Sequence, residues 1–189
     1  MRKIIMLNRV SLDGFFAGPN GEIDWFVQDP QVDQAAHEKM NPDTLLLGRV
    51  TYQMFESYWP PIEKDSKADK GLRKLSKELN EMNKIVFSNT LEEVDWENSE
   101  LVNGDLEKAV KKLKKENGNS ADIAIFGSGT VVRQLAEAGL IDEYIFILSP
   151  AVVGTGKSLF QEVDKFNPKL LETKNFDSGN VLLHYKITK

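Results

Sequence analysis

The chain has 189 residues, 41% of them hydrophobic and 28% charged, the make-up of one soluble globular domain with a proper core. A formal charge of −5 speaks against a nucleic-acid partner, because binding phosphates needs a basic face. There is no cysteine, and His37 and His184 are the two imidazoles, so no disulfide, thiolate nucleophile or multi-histidine metal site is expected.

Met1 to Leu7 runs from basic to apolar but meets Asn8-Arg9, too early for a signal sequence or membrane span. The expectation is a cytoplasmic protein. Ile4 to Val10 reads as a buried strand, ended by the turn chemistry of Asp13-Gly14. Gly18-Pro19-Asn20-Gly21 marks a long loop. Asp29-Pro30 starts a helix, with Val32, Ala35, Ala36 and Met40 on one face. Thr44 to Leu47 is a second strand, closed by Gly48. A helix from Val50 to Tyr58 is expected to stop before Pro60-Pro61, and Lys64 to Lys70 reads as a charged loop. Leu72, Leu75, Leu79 and Met82 keep helical spacing, Lys84 to Phe87 is a third strand, and Leu101-Val102 a short one. Asp105 to Asn117 carries a clear apolar stripe, with Gly118 as its cap. Strand Ile123 to Phe126, helix Thr130 to Ala138 and strand Glu143 to Leu148 follow. Leu170 to Phe176 and Val181 to Ile187 flank Asp177-Ser178-Gly179-Asn180 as an antiparallel hairpin. Strands alternating with helices predict an α/β fold with a mostly parallel sheet and that hairpin at one side.

Three strand ends carry groups suited to an anion. Gly127-Ser128-Gly129, then Thr130-Val131, stands between a strand and a helix, where free backbone N–H groups bind a pyrophosphate. The dinucleotide fingerprint fails at its third glycine, which is Val132 here. Gly154-Thr155-Gly156-Lys157-Ser158 copies the end of a P-loop, but Ala151 replaces the leading glycine. Gly48-Arg49-Val50-Thr51 offers a guanidinium fork and a hydroxyl, and Ser88-Asn89-Thr90 ends the third strand in the same way. In α/β sheets ligands bind at such C-terminal strand edges. Asp13, Glu22 and Asp24 are the acids of the first loop, and each is a candidate proton donor or substrate contact.

Taken in order, Ser11-Leu12-Asp13-Gly14-Phe15, Leu47-Gly48-Arg49-Val50-Thr51-Tyr52, Val86-Phe87-Ser88-Asn89-Thr90 and Phe126-Gly127-Ser128-Gly129-Thr130 resemble the dihydrofolate-reductase-like superfamily. The resemblance is nearest to the reductase domain of the riboflavin-biosynthesis deaminase-reductase and its stand-alone relatives, and it spans nearly the whole chain. It implies an eight-stranded, mostly parallel sheet between helices, and NADPH as hydride donor. It further implies that Gly48, Arg49 and Thr51 turn over the adenosine and phosphates, with Ser88 and Asn89 near the 2′-phosphate. Gly127, Ser128, Gly129, Thr130 and Val131 would take the pyrophosphate. The pocket acid of true folate reductases has no copy around Asp24-Trp25-Phe26 or Asp29-Pro30, which counts against folate. The expected activity is NADPH-dependent reduction of a small polar heterocycle, carbonyl or imine by a homodimer, with Asp13, then Glu22 and Asp24, as acids. A non-catalytic nucleotide- or small-ligand-binding module on the same fold is the alternative.

Overall fold

The structure is a computed structural model and describes residues 1–116 and 121–188. Eight strands form the main sheet: β1 (Ile4–Val10), β3 (Pro42–Gly48), β4 (Asn83–Phe87), β5 (Ser99–Val102), β6 (Asp122–Phe126), β7 (Glu143–Leu148), β9 (Lys169–Asn175) and β10 (Val181–Lys186). Their order is β5-β4-β3-β6-β1-β7-β10-β9, parallel from β5 to β7, with β10 antiparallel to both of its neighbours. This is the expected mostly parallel sheet with a C-terminal antiparallel hairpin. Two short strands, β2 (Phe15–Ala17) and β8 (Lys157–Ser158), pair antiparallel outside it.

The central strands are buried on both faces, so their side chains alternate between two apolar layers. Ile4, Met6, Leu46, Ile123 and Ile125 pack under α4 (Leu106–Lys115) and α5 (Gly129–Glu137). Ile5, Leu45, Leu47 and Ala124 pack under α1 (Pro30–His37), α2 (Arg49–Lys64) and α3 (Lys70–Glu81). The result is three layers, helix, sheet and helix. Helix α1 ends at His37, and Met40 reaches the same core from the turn beyond it.

Helix α2 corrects the expected stop at Tyr58, because it continues through Pro60-Pro61 to Lys64. A proline's fixed φ is itself helical; what it removes is an N–H and a helical hydrogen bond. Packing against α3 compensates, and Ser76 Oγ donates to the Trp59 carbonyl at 2.6 Å. Helix α4 is capped by Asp105 as expected; its expected end at Asn117 and the cap at Gly118 lie outside the described residues.

Candidate active site

The C-terminal ends of β1, β3, β4 and β6 open on one cleft of about 1240 Å³. Every residue expected to hold a dinucleotide lines it: Gly48, Arg49, Thr51, Ser88, Asn89 and the run Gly127 to Val131. Two of these turns are welded together. The Gly48 N–H donates to Ser128 Oγ at 2.8 Å, and the Ser128 N–H donates to Thr51 Oγ1 at 3.0 Å. Gly127 and Ser128 both stand in the left-handed region, at φ 64° and 52°. For Ser128 that conformation costs about 1–3 kcal/mol, offset by the bonds it makes there. Thr51 and Ser128 are thus first of all the frame of the cleft. Ser88 and Asn89 do the same for the β4 end: Ser88 Oγ accepts from the Thr90 and Leu91 N–H groups, and Asn89 Oδ1 from that of Gly104.

Helix capping separates this edge from the rest of the molecule. Helices α1, α3 and α4 are capped by the carboxylates of Asp29, Asp69 and Asp105. Helices α2 and α5, which start at the cleft, have Gly48 and Ser128 at their N-caps and no side-chain cap bond. Their first N–H groups and positive dipole ends face the open space, the arrangement that binds anions. Side-chain charge agrees with this. Arg9, Arg49, Arg133 and Lys157 line the cleft against one carboxylate, Asp33. In a chain of net charge −5 the cleft is a local cationic region.

The three loop acids are placed differently. Asp13 accepts from Ser11 Oγ at 2.6 Å and from the backbone N–H groups of Val153 and Gly154. The Ser11 hydroxyl, with help from those N–H groups, holds its carboxyl down at about 2. It ties the end of β1 to the segment leading into β8. The Glu22 carboxylate accepts from the N–H and Nδ2 of Asn20, and Asp24 is exposed. None of the three lines the cleft.

The residues missed by sequence reasoning come from elements read as plain core or surface. Arg9 lies inside β1, paired with Asp33 of α1, and both line the cleft. A charged residue in a strand, opposite an acid on the next helix, was the available signal. Phe16, from β2, leans on Gly129: a Cβ there would sit 2.5 Å from the ring's Cζ. Among the described residues no group of His, Cys, Asp or Glu could hold a metal. Nor is any described helix long and apolar enough to cross a membrane.

With this geometry in view, comparison with known proteins is direct. The family model described as RibD C-terminal domain matches residues 2–182. The chain belongs to that family. Over 186 residues, 97% of this chain and 94% of the other, it is 37% identical to uncharacterized protein YyaP of Bacillus subtilis (strain 168). Among solved structures, this RibD C-terminal domain is similar to a putative riboflavin biosynthesis protein from Shewanella sp. PV-4, with TM-score 0.74 and 23% identity over 99% of both chains. It is also similar in fold to dihydrofolate reductase from Enterococcus faecalis complexed with NADP(H), with TM-score 0.65 and 16% identity, covering 97% of this chain and 95% of that one. The RibD C-terminal domain therefore has a reductase-type fold.

Proposed function

We propose that this RibD C-terminal domain is an NADPH-dependent reductase of a small polar heterocycle, pterin-like or pyrimidine-like, or of a related carbonyl or imine. The observation that carries the reading is the pair of uncapped helix N-termini, α2 and α5, at one cationic cleft beside the turns Gly48 to Thr51 and Gly127 to Val131. A dinucleotide is a chain of phosphates with flat ends, and this edge offers N–H donors for the former. Arg49 is exposed at the start of α2, where its fork suits a 2′-phosphate. Phe16, Phe55 and Phe126 give the cleft apolar walls for flat rings.

Bound there, NADPH would supply a hydride. The protein's part is then to align the acceptor ring, exclude water and hold charge at fixed places. Asp13 enters the proposal as a clamp on the β2–β8 side, since a carboxyl held near 2 is ionised at neutral pH and has no proton to give. Water in the open cleft supplies the proton instead. Pairing into a homodimer belongs to the same proposal; Leu170 and Leu171 are exposed on the outermost strand β9, and light scattering reads the mass directly.

The test is a titration of the purified protein with NADPH, followed by its oxidation across pterins, pyrimidinones and quinones. Saturable binding with turnover of one class is the expected result. Absence of binding at saturating NADPH overturns the reading, and binding without any turnover favours a nucleotide-binding module on this fold.

A further inference from the structure

The substrate end of the cleft is marked by an ion pair that sits inside it. Arg9 is the sixth residue of β1, on the face shared with Ile5 and Leu7, and that face looks toward α1. Its Nη2 donates to Asp33 Oδ1, its Nη1 donates to the Val27 carbonyl at 3.2 Å, and its guanidinium lies 5.7 Å from the centre of the Phe26 ring. The Arg9 side chain is 11% exposed and that of Asp33 42%. The arginine is therefore the buried, fixed partner. Val27 is itself held, because Asn180 Nδ2 donates to the same carbonyl at 3.1 Å and Ser149 Oγ donates to Asn180 Oδ1 at 3.0 Å.

A guanidinium has five N–H groups in a rigid fork. The two bonds above leave further donors with no acceptor among the described residues, at the wall of the cleft. Asp33, by contrast, already faces a cation. A ligand bringing its own positive charge would have to displace Arg9, which cannot leave without losing Asp33, Val27 and Phe26 together. A ligand bringing a carbonyl oxygen meets donors already aimed and loses nothing.

We infer that Arg9, clamped by Asp33, is the residue that selects the substrate: the site takes a neutral or anionic ring bearing a carbonyl, such as a pyrimidinedione, and rejects a cationic diamino ring. The inference rests on the reading of this cleft as a reductase site and names the acceptor's chemical class. Arg9 contacts the ring oxygen, and Asp33 positions Arg9.

The test uses three single-ring probes in calorimetric titrations, with and without saturating NADPH: uracil, uracil-6-carboxylate, and 2,4-diaminopyrimidine at a pH where it is protonated. Wild type is expected to bind the two uracils more tightly than the diamino ring by about tenfold. Arg9→Ala, which frees the Asp33 carboxylate, should reverse that order, with a gain in affinity for the diamino ring. Asp33→Asn, which leaves Arg9 uncompensated, should tighten uracil-6-carboxylate and leave the diamino ring weak. Opposite movement of opposite charges is not a result that misfolding gives, and thermal melts of both variants check the fold. Preference of wild type for the diamino ring, equal loss of every probe in both variants, or binding of no ring overturns the inference. NADPH titrated into the same samples separates the two readings: if it binds while the ring order fails, the selection by Arg9 falls alone.

Discussion

Arg49 and Lys84 show what a single cation does in two settings. Arg49 is exposed at the first turn of α2, and among the described residues it has no ion pair to break. Any phosphate it meets is therefore a net gain. A charge-assisted hydrogen bond contributes about 1.5–3 kcal/mol, or roughly tenfold or more in affinity. Arg49→Ala should weaken NADPH by that factor and NADH by much less, read as two dissociation constants from fluorescence titration. Equal loss of both would remove the 2′-phosphate role. Lys84 is fully buried; its Nζ donates to the Leu79 and Asn80 carbonyls at the end of α3 and lies 4.4 Å from the centre of the Trp96 ring. Burial pushes its ammonium down to about 8 from 10.5. Between those values the unfolded chain holds a proton that the folded chain has released, so stability rises with pH across that window. Below about 8 the cost of burying the charge is fully present, and above 10.5 it is gone. In urea melts at pH values spanning the window, the wild type should gain stability relative to Lys84→Met. Parallel curves would mean that Lys84 is not the titrating group.

At the scale of elements, the cleft depends on a close approach between β2 and the start of α5. A Cβ on Gly129 would lie 2.5 Å from Phe16 Cζ and 2.8 Å from Cε1, so the ring or the helix must move to admit one. Gly129→Ala should cost about 1–3 kcal/mol of stability, as overpacking does, and should loosen the turn that frames the cleft. Made in a Phe16→Ala background, the same change should cost much less, and denaturant melts of the four proteins give the coupling. A penalty of the same size in both backgrounds would place the strain elsewhere. That contact also shows where the sequence stops being readable. The long parallel strands, the Asp-capped helices and the glycine turns carry their signals locally, and those elements stand where their patterns place them. Strands β2 and β8 hold three and two residues. Such lengths show no periodicity, and they are strands because tertiary folding brings them together. Pro60-Pro61 misleads in the other direction, since α2 is sustained by its packing on α3 beyond what its own residues would support. The Gly48, Ser88 and Gly127 turns were legible as a group, whereas the Arg9–Asp33 pair was not. Twenty-four positions separate its partners, and nothing local says that β1 and α1 face each other across the cleft.

For the whole molecule, the cleft is the place where strands from both halves of the sheet end side by side. Its walls come from β1, β3, β4 and β6 and from the starts of α2 and α5, elements spread from residue 4 to residue 137. A ligand seated there touches parts of the chain that only the native fold brings together, so it binds the folded state and not the unfolded one. Linkage then fixes the size of the effect. At a concentration one hundred times its dissociation constant, such a ligand stabilises by about 2.7 kcal/mol. For a domain of this length each kcal/mol raises Tm by about 2–4 °C, so NADPH should raise it by roughly 5–10 °C. The shift should grow with the logarithm of NADPH concentration and shrink in Arg49→Ala. Phosphate chains without the nicotinamide should reproduce part of it, because the uncapped ends of α2 and α5 recognise phosphate and not the ring. A Tm indifferent to NADPH at saturating concentration would mean that this cationic edge holds a different anion.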